Sequence, residues 1–313
     1  MTDITAVGEI LIDLTQSGVN EQGIPVFAAN PGGAPANLAV AAARLGASAA
    51  FIGKVGTDSF GTFLRNTLVE NRVDVSGMVT DLRSRTTLAV VALDSQGERT
   101  FSFYRDPSAD VNLCAEEISE EQLKNTKFLH FGSVSLTTDP ARSATLYAAE
   151  TAKKHGAYIS YDPNYRASLW SDEASAVAMM KQPLSLVDIV KVSDEELPLL
   201  TGTEDLEKGS AILASCGIRL VLVTLGANGA YYRFGDKTGH VPGVKVQVGD
   251  TNGAGDTFFG AALAQLARFD KLEDVTEEEL REIVAVSNRA AAITTSRHGA
   301  IPAMPTREEV FGQ

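Results

Sequence analysis

Short, almost continuously apolar segments alternate with longer Ala- and Leu-rich stretches through most of the sequence, and this alternation restricts the fold more than any other feature. AAFIGKVG from Ala49, KFLHFGSVSL from Lys127, AYISYD from Ala157, DIVKVS from Asp188 and LVLVTLG from Leu220 each read as such a strand. Parallel strands need crossover helices, which cover both faces of the sheet, so their strands lose the apolar/polar alternation of a half-solvated sheet. The pattern predicts an α/β chain with a mostly parallel central sheet, each strand running into a loop at its C-terminal end.

Two stretches break the rhythm, one from Asp13 to Asn30 and one from Arg85 to Asp106, and both read as antiparallel. In the second, TTLAVVAL and RTFSFYR flank the turn-forming cluster DSQG, which predicts a hairpin. A hairpin inserted in a parallel chain is either decoration or a lid over an active site. No internal repeat, low-complexity tract or Pro/Ser-rich linker marks a boundary, so 1–313 is expected to form one domain. The acidic run EDVTEEELRE from Glu273 reads as a solvated loop and helix start.

The chain of 313 residues, 44% apolar and 21% charged, is long enough and apolar enough for a real core. Its formal charge of −13 repels a polyanion, so nucleic acid is not an expected partner. Cys114 and Cys216 are too few for a disulfide framework and are not spaced as a metal site, so they read as buried thiols in a reducing compartment. The N-terminal stretch carries Asp3 and lacks a basic region, and no apolar run reaches membrane-spanning length. No membrane association is expected, and the cytoplasm is the expected address.

The segment DTNGAGDTFFGAALAQLARF, 250–269, carries the most chemistry. Phe259, Ala262, Leu263 and Leu266 fall at helical spacing, so a helix starts near Asp256 and buries that face. Gly253, Ala254 and Gly255 precede it, where small residues and the helix dipole suit an anion such as phosphate. A carboxylate there repels phosphate unless it has a use, and proton abstraction is one. On the loop alone, an N-cap aspartate explains it equally well. A second glycine pair, Gly32 and Gly33, precedes a helical pattern of Leu38, Ala42 and Leu45 that stops at Gly46. Asn37 falls in its first turn, where an amide can serve vicinal hydroxyls; taken alone, the glycine pair is just a turn.

GGAPANLA (32–39), followed by Gly46 and Gly56, and DTNGAGDTFFGAAL (250–263) together resemble the two signatures of the ribokinase-like (PfkB) carbohydrate kinase family. The resemblance covers the whole chain. It implies a ribokinase-like three-layer α/β/α fold whose small β-sheet lid comes from about 13–32 and 85–108. It also implies transfer of the γ-phosphate of ATP to a sugar hydroxyl, with Asp256 as catalytic base and Gly253, Ala254 and Gly255 as the anion hole, a division of labour suited to phosphoryl transfer.

The same resemblance assigns further residues. KVSDEELPLL resembles the family element that places Mg²⁺ near the phosphates, with Lys191 and Ser193 on the ATP side and Glu196 acting on the metal through water; Ser193 stands where the family has asparagine. The alternative for this acidic cluster is a solvated helix start. Thr224, Gly226 and Gly229 in VTLGANGA, with Asn288, Gly299 and Ala300, match the ATP groove. A loop near Asp250 matches the family's monovalent cation site, so K⁺ joins ATP and Mg²⁺ as an implied ligand. For the acceptor, the resemblance points to Asp13, at the end of the first strand, and to Gly32, Gly33, Asn37, Phe103, Arg105, Asp162, Asn164 and Arg166.

GGAPANLAVAAARLG, FSFYRDPSAD and DPNYRASLW are most similar to the bacterial fructokinase branch, which implies fructose as acceptor. Kinases of 2-keto-3-deoxygluconate share the arginines at 105 and 166 and are the nearest rival, but Phe103 lacks the hydroxyl that a sugar acid would use. Ribose or another ketose are further alternatives. A non-catalytic sugar or nucleotide sensor on the same fold is disfavoured by the intact Asp256 and Glu196, and no GxGxxG follows the first strand to support an oxidoreductase. The family's lids sometimes form dimer interfaces, so a homodimer through the lid is a further expectation.

Overall fold

A computed structural model describes residues 1–93 and 99–312. In chain order its strands are β1 (Thr2–Val7), β2 (Leu11–Val19), β3 (Pro25–Gly32), β4 (Ala49–Gly56), β5 (Val73–Asp81), β6 (Leu88–Leu93), β7 (Arg99–Tyr104), β8 (Thr126–Gly132), β9 (Tyr158–Asp162), β10 (Ile189–Ser193), β11 (Leu220–Thr224), β12 (Ala230–Phe234) and β13 (Lys237–Val241). The α-helices are α1 (Ala34–Arg44), α2 (Ser59–Glu70), α3 (Glu120–Lys124), α4 (Ala141–Lys154), α5 (Glu173–Lys181), α6 (Glu196–Thr201), α7 (Leu206–Ser215), α8 (Ala254–Leu266), α9 (Glu277–Thr295) and α10 (Arg307–Phe311).

The larger sheet runs β13-β12-β11-β10-β9-β8-β1-β4-β5. From β11 to β5 every neighbouring pair is parallel, and the antiparallel pairs are β11–β12 and β12–β13 at one edge. The five apolar segments of the sequence are β4, β8, β9, β10 and β11, and all eight residues of β4 are buried, as two covered faces require. On one face Phe131, Ile159, Val190 and Val221 pack with residues of α4, α5 and α7; on the other Phe128, Ile189 and Leu222 pack with α8 and α9. The expected α/β class and its three layers are therefore present.

The smaller sheet, β3-β2-β6-β7, gathers the two irregular stretches. Each stretch is an antiparallel pair, but the pairs join through β2 and β6, which are parallel, in register from Ile12 opposite Leu88 to Thr15 opposite Val91. The turn expected at DSQG, 94–97, lies outside the described residues.

Several details differ from the sequence reading. Asp13 is not at the end of the first strand: β1 stops at Val7, the chain turns at Gly8 with φ 147°, and Asp13 is the third residue of β2 in the small sheet. A Cβ at Gly8 would meet the Pro35 ring at 2.8 Å, so the redirection needs glycine. Helix α8 is buried on all sides from Asp256 to Leu266, not on one face, because α1 and α9 also pack on it. Neither thiol is fully buried: Cys114 is half-buried and Cys216 exposed, at the C-cap of α7. The run at 273–282 does start a helix, with Thr276 and Glu279 forming a reciprocal capping box. Among the described residues no helix is long and apolar enough to cross a membrane.

Candidate active site

The glycine pair before α1 is dictated by contact. Gly33 is the N-cap of α1 at φ 104°, and a Cβ there would lie 2.6 Å from the Glu9 carbonyl. At Gly32 a Cβ would lie 2.2 Å from Asp13 Oδ2, so the absence of a side chain is what lets the Asp13 carboxylate stand at the mouth of the turn. One turn into α1, Asn37 is buried and directs its amide across to α8. The two helices approach closely at Gly260, where a Cβ would lie 2.7 Å from the Leu38 carbonyl.

Asp256 is not an N-cap. Gly253 holds that position in the left-handed region at φ 74°, and Asp256 is the third helical residue, its side chain bonding no N–H of the first turn. Its carboxylate instead accepts from Asn37 Nδ2 on Oδ2 at 2.8 Å and from Asn164 Nδ2 on Oδ1 at 3.1 Å. Asn164 follows the β9 terminus with φ 47°, an unusual backbone for a residue with a side chain, and Asp162 Oδ1 accepts its N–H at 3.0 Å. Burial pushes the Asp256 carboxyl up to about 6, with Asp162 adding to the rise and Asn37, Lys191 and Arg166 opposing it. In the Gly253–Gly255 turn the Ala254 N–H is turned back to the Thr251 carbonyl at 3.3 Å. The N–H groups of Gly255 and Asp256 have no carbonyl one turn earlier in the helix and remain donors for an anion.

Asp256 opens into a cleft at the C-terminal ends of β1 and β9, where ligands of parallel α/β sheets bind. The cleft is lined by Glu9, Leu11, Asp13, Gly33, Ala34, Asn37, Phe103, Val134, Asn164, Arg166, Asn252, Gly253, Asp256 and Ala300. Of the residues expected around the acceptor, Asp13, Gly33, Asn37, Phe103, Asn164, Arg166 and Asp256 thus share one space. Burial raises the Asp13 carboxyl to about 7, against the pull of Arg166.

Three expected acceptor residues do not line the cleft: Gly32, Asp162 and Arg105. The Asp162 carboxylate lies behind the cleft wall, paired with the buried Lys191 Nζ at 2.8 Å. Lys191, expected on the nucleotide side, is thereby joined to an acceptor-side residue, and its ammonium lies 3.0 Å from where a Gly255 Cβ would be. Burial disfavours the Lys191 charge, but Asp162 and Glu196 outweigh this and hold its pKa above the usual value. Arg105 donates from Nε to Asp110 at 2.7 Å and from Nη1 to Thr137 at 2.6 Å, while its Nη2 is buried without a hydrogen-bond partner.

On the nucleotide side, the turn Gly226–Gly229 after Thr224 packs on residues 241–243, and Asn288 Nδ2 donates to the Val241 and Pro242 carbonyls at 3.1 and 3.2 Å. Asn288 therefore shapes this wall with its N–H groups. Asp250 ties the neighbouring loops together, accepting from the N–H groups of Asn252 and Gly299, while Ala300 abuts Gly253. Glu196 is buried, unlike the exposed Asp194 and Glu195, and accepts from the N–H groups of Tyr165 at 2.7 Å and Ser193 at 2.9 Å. Ser193 Oγ accepts the Glu196 N–H in return at 3.1 Å.

The sequence reading missed Glu9, Leu11, Ala34, Val134 and Asn252 on the cleft. Four of these are apolar, small or loop residues with no chemical signal. Glu9 had one, a lone acid in an otherwise apolar run between Gly8 and Ile12.

The pfkB family carbohydrate kinase profile matches residues 1–307. Fructokinase-1 of Zea mays is 45% identical over 312 residues, 98% of this chain and 96% of the relative. The solved structure of Xylella fastidiosa fructokinase with bound ATP matches with a TM-score of 0.92 at 34% identity, covering 100% of this chain and 98% of that one. Vibrio cholerae O395 fructokinase in fructose, ADP and calcium ion bound form gives a TM-score of 0.90 at 38% identity, with 100% and 98% coverage. A double mutant of that protein, in fructose, ADP and potassium ion bound form, gives 0.90 at 37% with the same coverage. The likeness runs from end to end and includes the loops that bring Asp256 to the cleft, and on that basis the chain belongs to the pfkB family of carbohydrate kinases.

Proposed function

We propose that this kinase transfers the γ-phosphoryl group of ATP to the 6-hydroxyl of fructose. One observation carries the assignment: a buried carboxylate, Asp256, is gripped on both oxygens by amides of Asn37 and Asn164 and faces a polar cleft from the first turn of a helix whose free N–H groups suit phosphate. In the reaction the acceptor hydroxyl gives its proton to Asp256 as its oxygen bonds to the γ-phosphorus, and the bond from that phosphorus to the β-phosphate bridging oxygen breaks to release ADP. Asp13 accepts from two sugar hydroxyls, Asn37 and Asn164 fix the base, and the N–H groups of the Gly253–Gly255 turn, with the α8 dipole, stabilise the phosphoryl oxygens. The small sheet serves as the lid of a single domain, carrying Asp13 and Phe103 over the acceptor.

A neutral sugar suits the cleft better than 2-keto-3-deoxygluconate. Glu9, Asp13 and Asp256 crowd it with acid, Arg166 is the cation on its wall, and Arg105, bound to Asp110 and Thr137, is not among the lining residues. Among the described residues no cluster of His, Cys, Asp or Glu could hold a metal alone, and both Glu196 oxygens already accept backbone N–H groups. Glu196 therefore fits a role on the water shell of a nucleotide-bound Mg²⁺, an ion whose chemistry is neutralisation of phosphate charge. A K⁺ near Asp250 and a homodimer through the small sheet, where Val19, Ile24, Val26 and Phe27 are exposed, are included in the proposal, as is a cytoplasmic address.

A coupled assay of ADP release over fructose, 2-keto-3-deoxygluconate, ribose, mannose, glucose and adenosine tests the assignment. Fructose should give the highest kcat/KM. Faster turnover of the keto-deoxy acid would overturn the acceptor, and ATP binding without turnover of any acceptor would make the protein a sensor.

A further inference from the structure

We infer that Glu9 is an acceptor-binding residue, whose unpartnered carboxyl oxygen takes a hydrogen bond from a sugar hydroxyl that Asp13 does not hold. The inference rests on the proposed sugar kinase activity and adds a contact to its cleft.

Glu9 lies between β1 and β2, where the chain passes from the large sheet to the small one, and is one of the cleft's lining residues although only 3% exposed. Its two oxygens differ in what they do. Oε1 accepts the N–H of Ala34, the first residue of α1, at 3.1 Å, and so caps that helix. Oε2 is buried and has no hydrogen-bond partner. Burying a carboxylate oxygen without a donor is unfavourable, so capping alone does not account for a glutamate. A glutamine would cap as well without the second charged oxygen.

A second buried acceptor of the same cleft, Asn37 Oδ1, is also without a donor. Two stranded acceptors on one wall, beside the carboxylates of Asp13 and Asp256, ask for a ligand rich in O–H groups; a ligand carboxylate or phosphate would be repelled at this end. Burial raises the Glu9 carboxyl to about 7, with Asp110 adding to the rise and backbone N–H groups and Arg105 opposing it. A hydroxyl is the donor that such a buried oxygen can accommodate without bringing in a further charge.

The test is a cycle between Glu9→Gln and monodeoxy analogues of fructose. Wild-type protein should lose roughly 10–100-fold in kcat/KM for the analogue that lacks the hydroxyl read by Glu9. Glu9→Gln should lose a similar factor with fructose through KM, keep its KM for ATP, and lose little more when given that same analogue. Equal fructose KM in both proteins, or full additivity for every analogue, overturns the inference. Should the variant fail to fold, a crystal structure of the wild type with fructose decides: a sugar oxygen within about 3.2 Å of Oε2 supports it, and water or empty space there overturns it. If wild-type protein ignores fructose, the fructose assignment fails by itself, and the cycle is run on whichever sugar of the panel is phosphorylated.

Discussion

Asn37 Nδ2 donates to Asp256 Oδ2 at 2.8 Å across 219 positions of sequence, locking the first turn of α1 to the first turn of α8. The two signature loops thus meet in one hydrogen bond, with Asn164 completing the grip on the other oxygen. A carboxylate held in this way has lost its rotational freedom before substrate arrives, which is what general-base catalysis requires of it.

Replacing the base tests that role directly. Asp256→Asn keeps the shape and the contact with Asn37 but cannot take a proton, so kcat should fall by about 10²–10⁴ with ATP affinity little changed. Single-turnover kinetics and nucleotide titration measure the two quantities, and near-normal kcat would remove Asp256 from the mechanism.

The same substitution should stabilise the ligand-free protein at neutral and higher pH. The Asp256 carboxyl rises from 3.8 to about 6 on folding because it is buried, so the folded state binds the proton more tightly than the unfolded state. Its stabilising effect is full below the unfolded value and lost as the pH climbs through about 6. An amide avoids that loss, worth about 3 kcal/mol for the shift, but its NH₂ cannot accept from the Asn164 amide, which leaves a net gain of about 2 kcal/mol at pH 8 that should vanish by about pH 4. Urea denaturation at the two pH values checks it, and a variant less stable than wild type at pH 8 would contradict it.

Activity has the opposite pH sense. The base works only when ionised, so kcat/KM should fall on the acid side through about 6, a limb shared with Asp13, which titrates near 7 and feels the Asp256 charge. The Asn37 amide holds the Asp256 pKa down, so Asn37→Ala should move this limb to higher pH as well as lower kcat on the order of 10–100-fold. A loss of rate with an unmoved limb would reduce Asn37 to a packing residue.

Lys191→Met should destabilise the fold by about 3–5 kcal/mol, because it strands the buried Asp162 carboxylate. The double variant Lys191→Met with Asp162→Asn should recover much of that loss. Failure to recover would mean that the lysine is held for its position under the Gly255 turn and not for the pair.

Where the chain forms local structure, the residues announced it. The strands that became β4, β8, β9, β10 and β11 are buried on both faces and carry that requirement in their composition, and Thr276 with Glu279 wrote a helix start in four residues. The edge hairpin β12–β13 escaped notice because Arg233, Lys237 and Thr238 interrupt its apolar run, as an edge allows. The sequence reads Asp13 as the end of the first strand because an apolar run shows no break at Gly8; the break is a backbone angle of 147°.

The sequence alone determined the sheet type, the two glycine turns and the acid at 256, since each depends on periodicity or on backbone freedom within a few residues. Tertiary structure decided the rest: that Asp256 is held by two amides instead of capping its helix, that Asp162 pairs with Lys191 and Arg105 with Asp110, and that Glu9 reaches the cleft. Those are choices among partners distant in the chain, and burial settles them, because a charge taken out of water must find whatever opposite group the packing brings within hydrogen-bond reach.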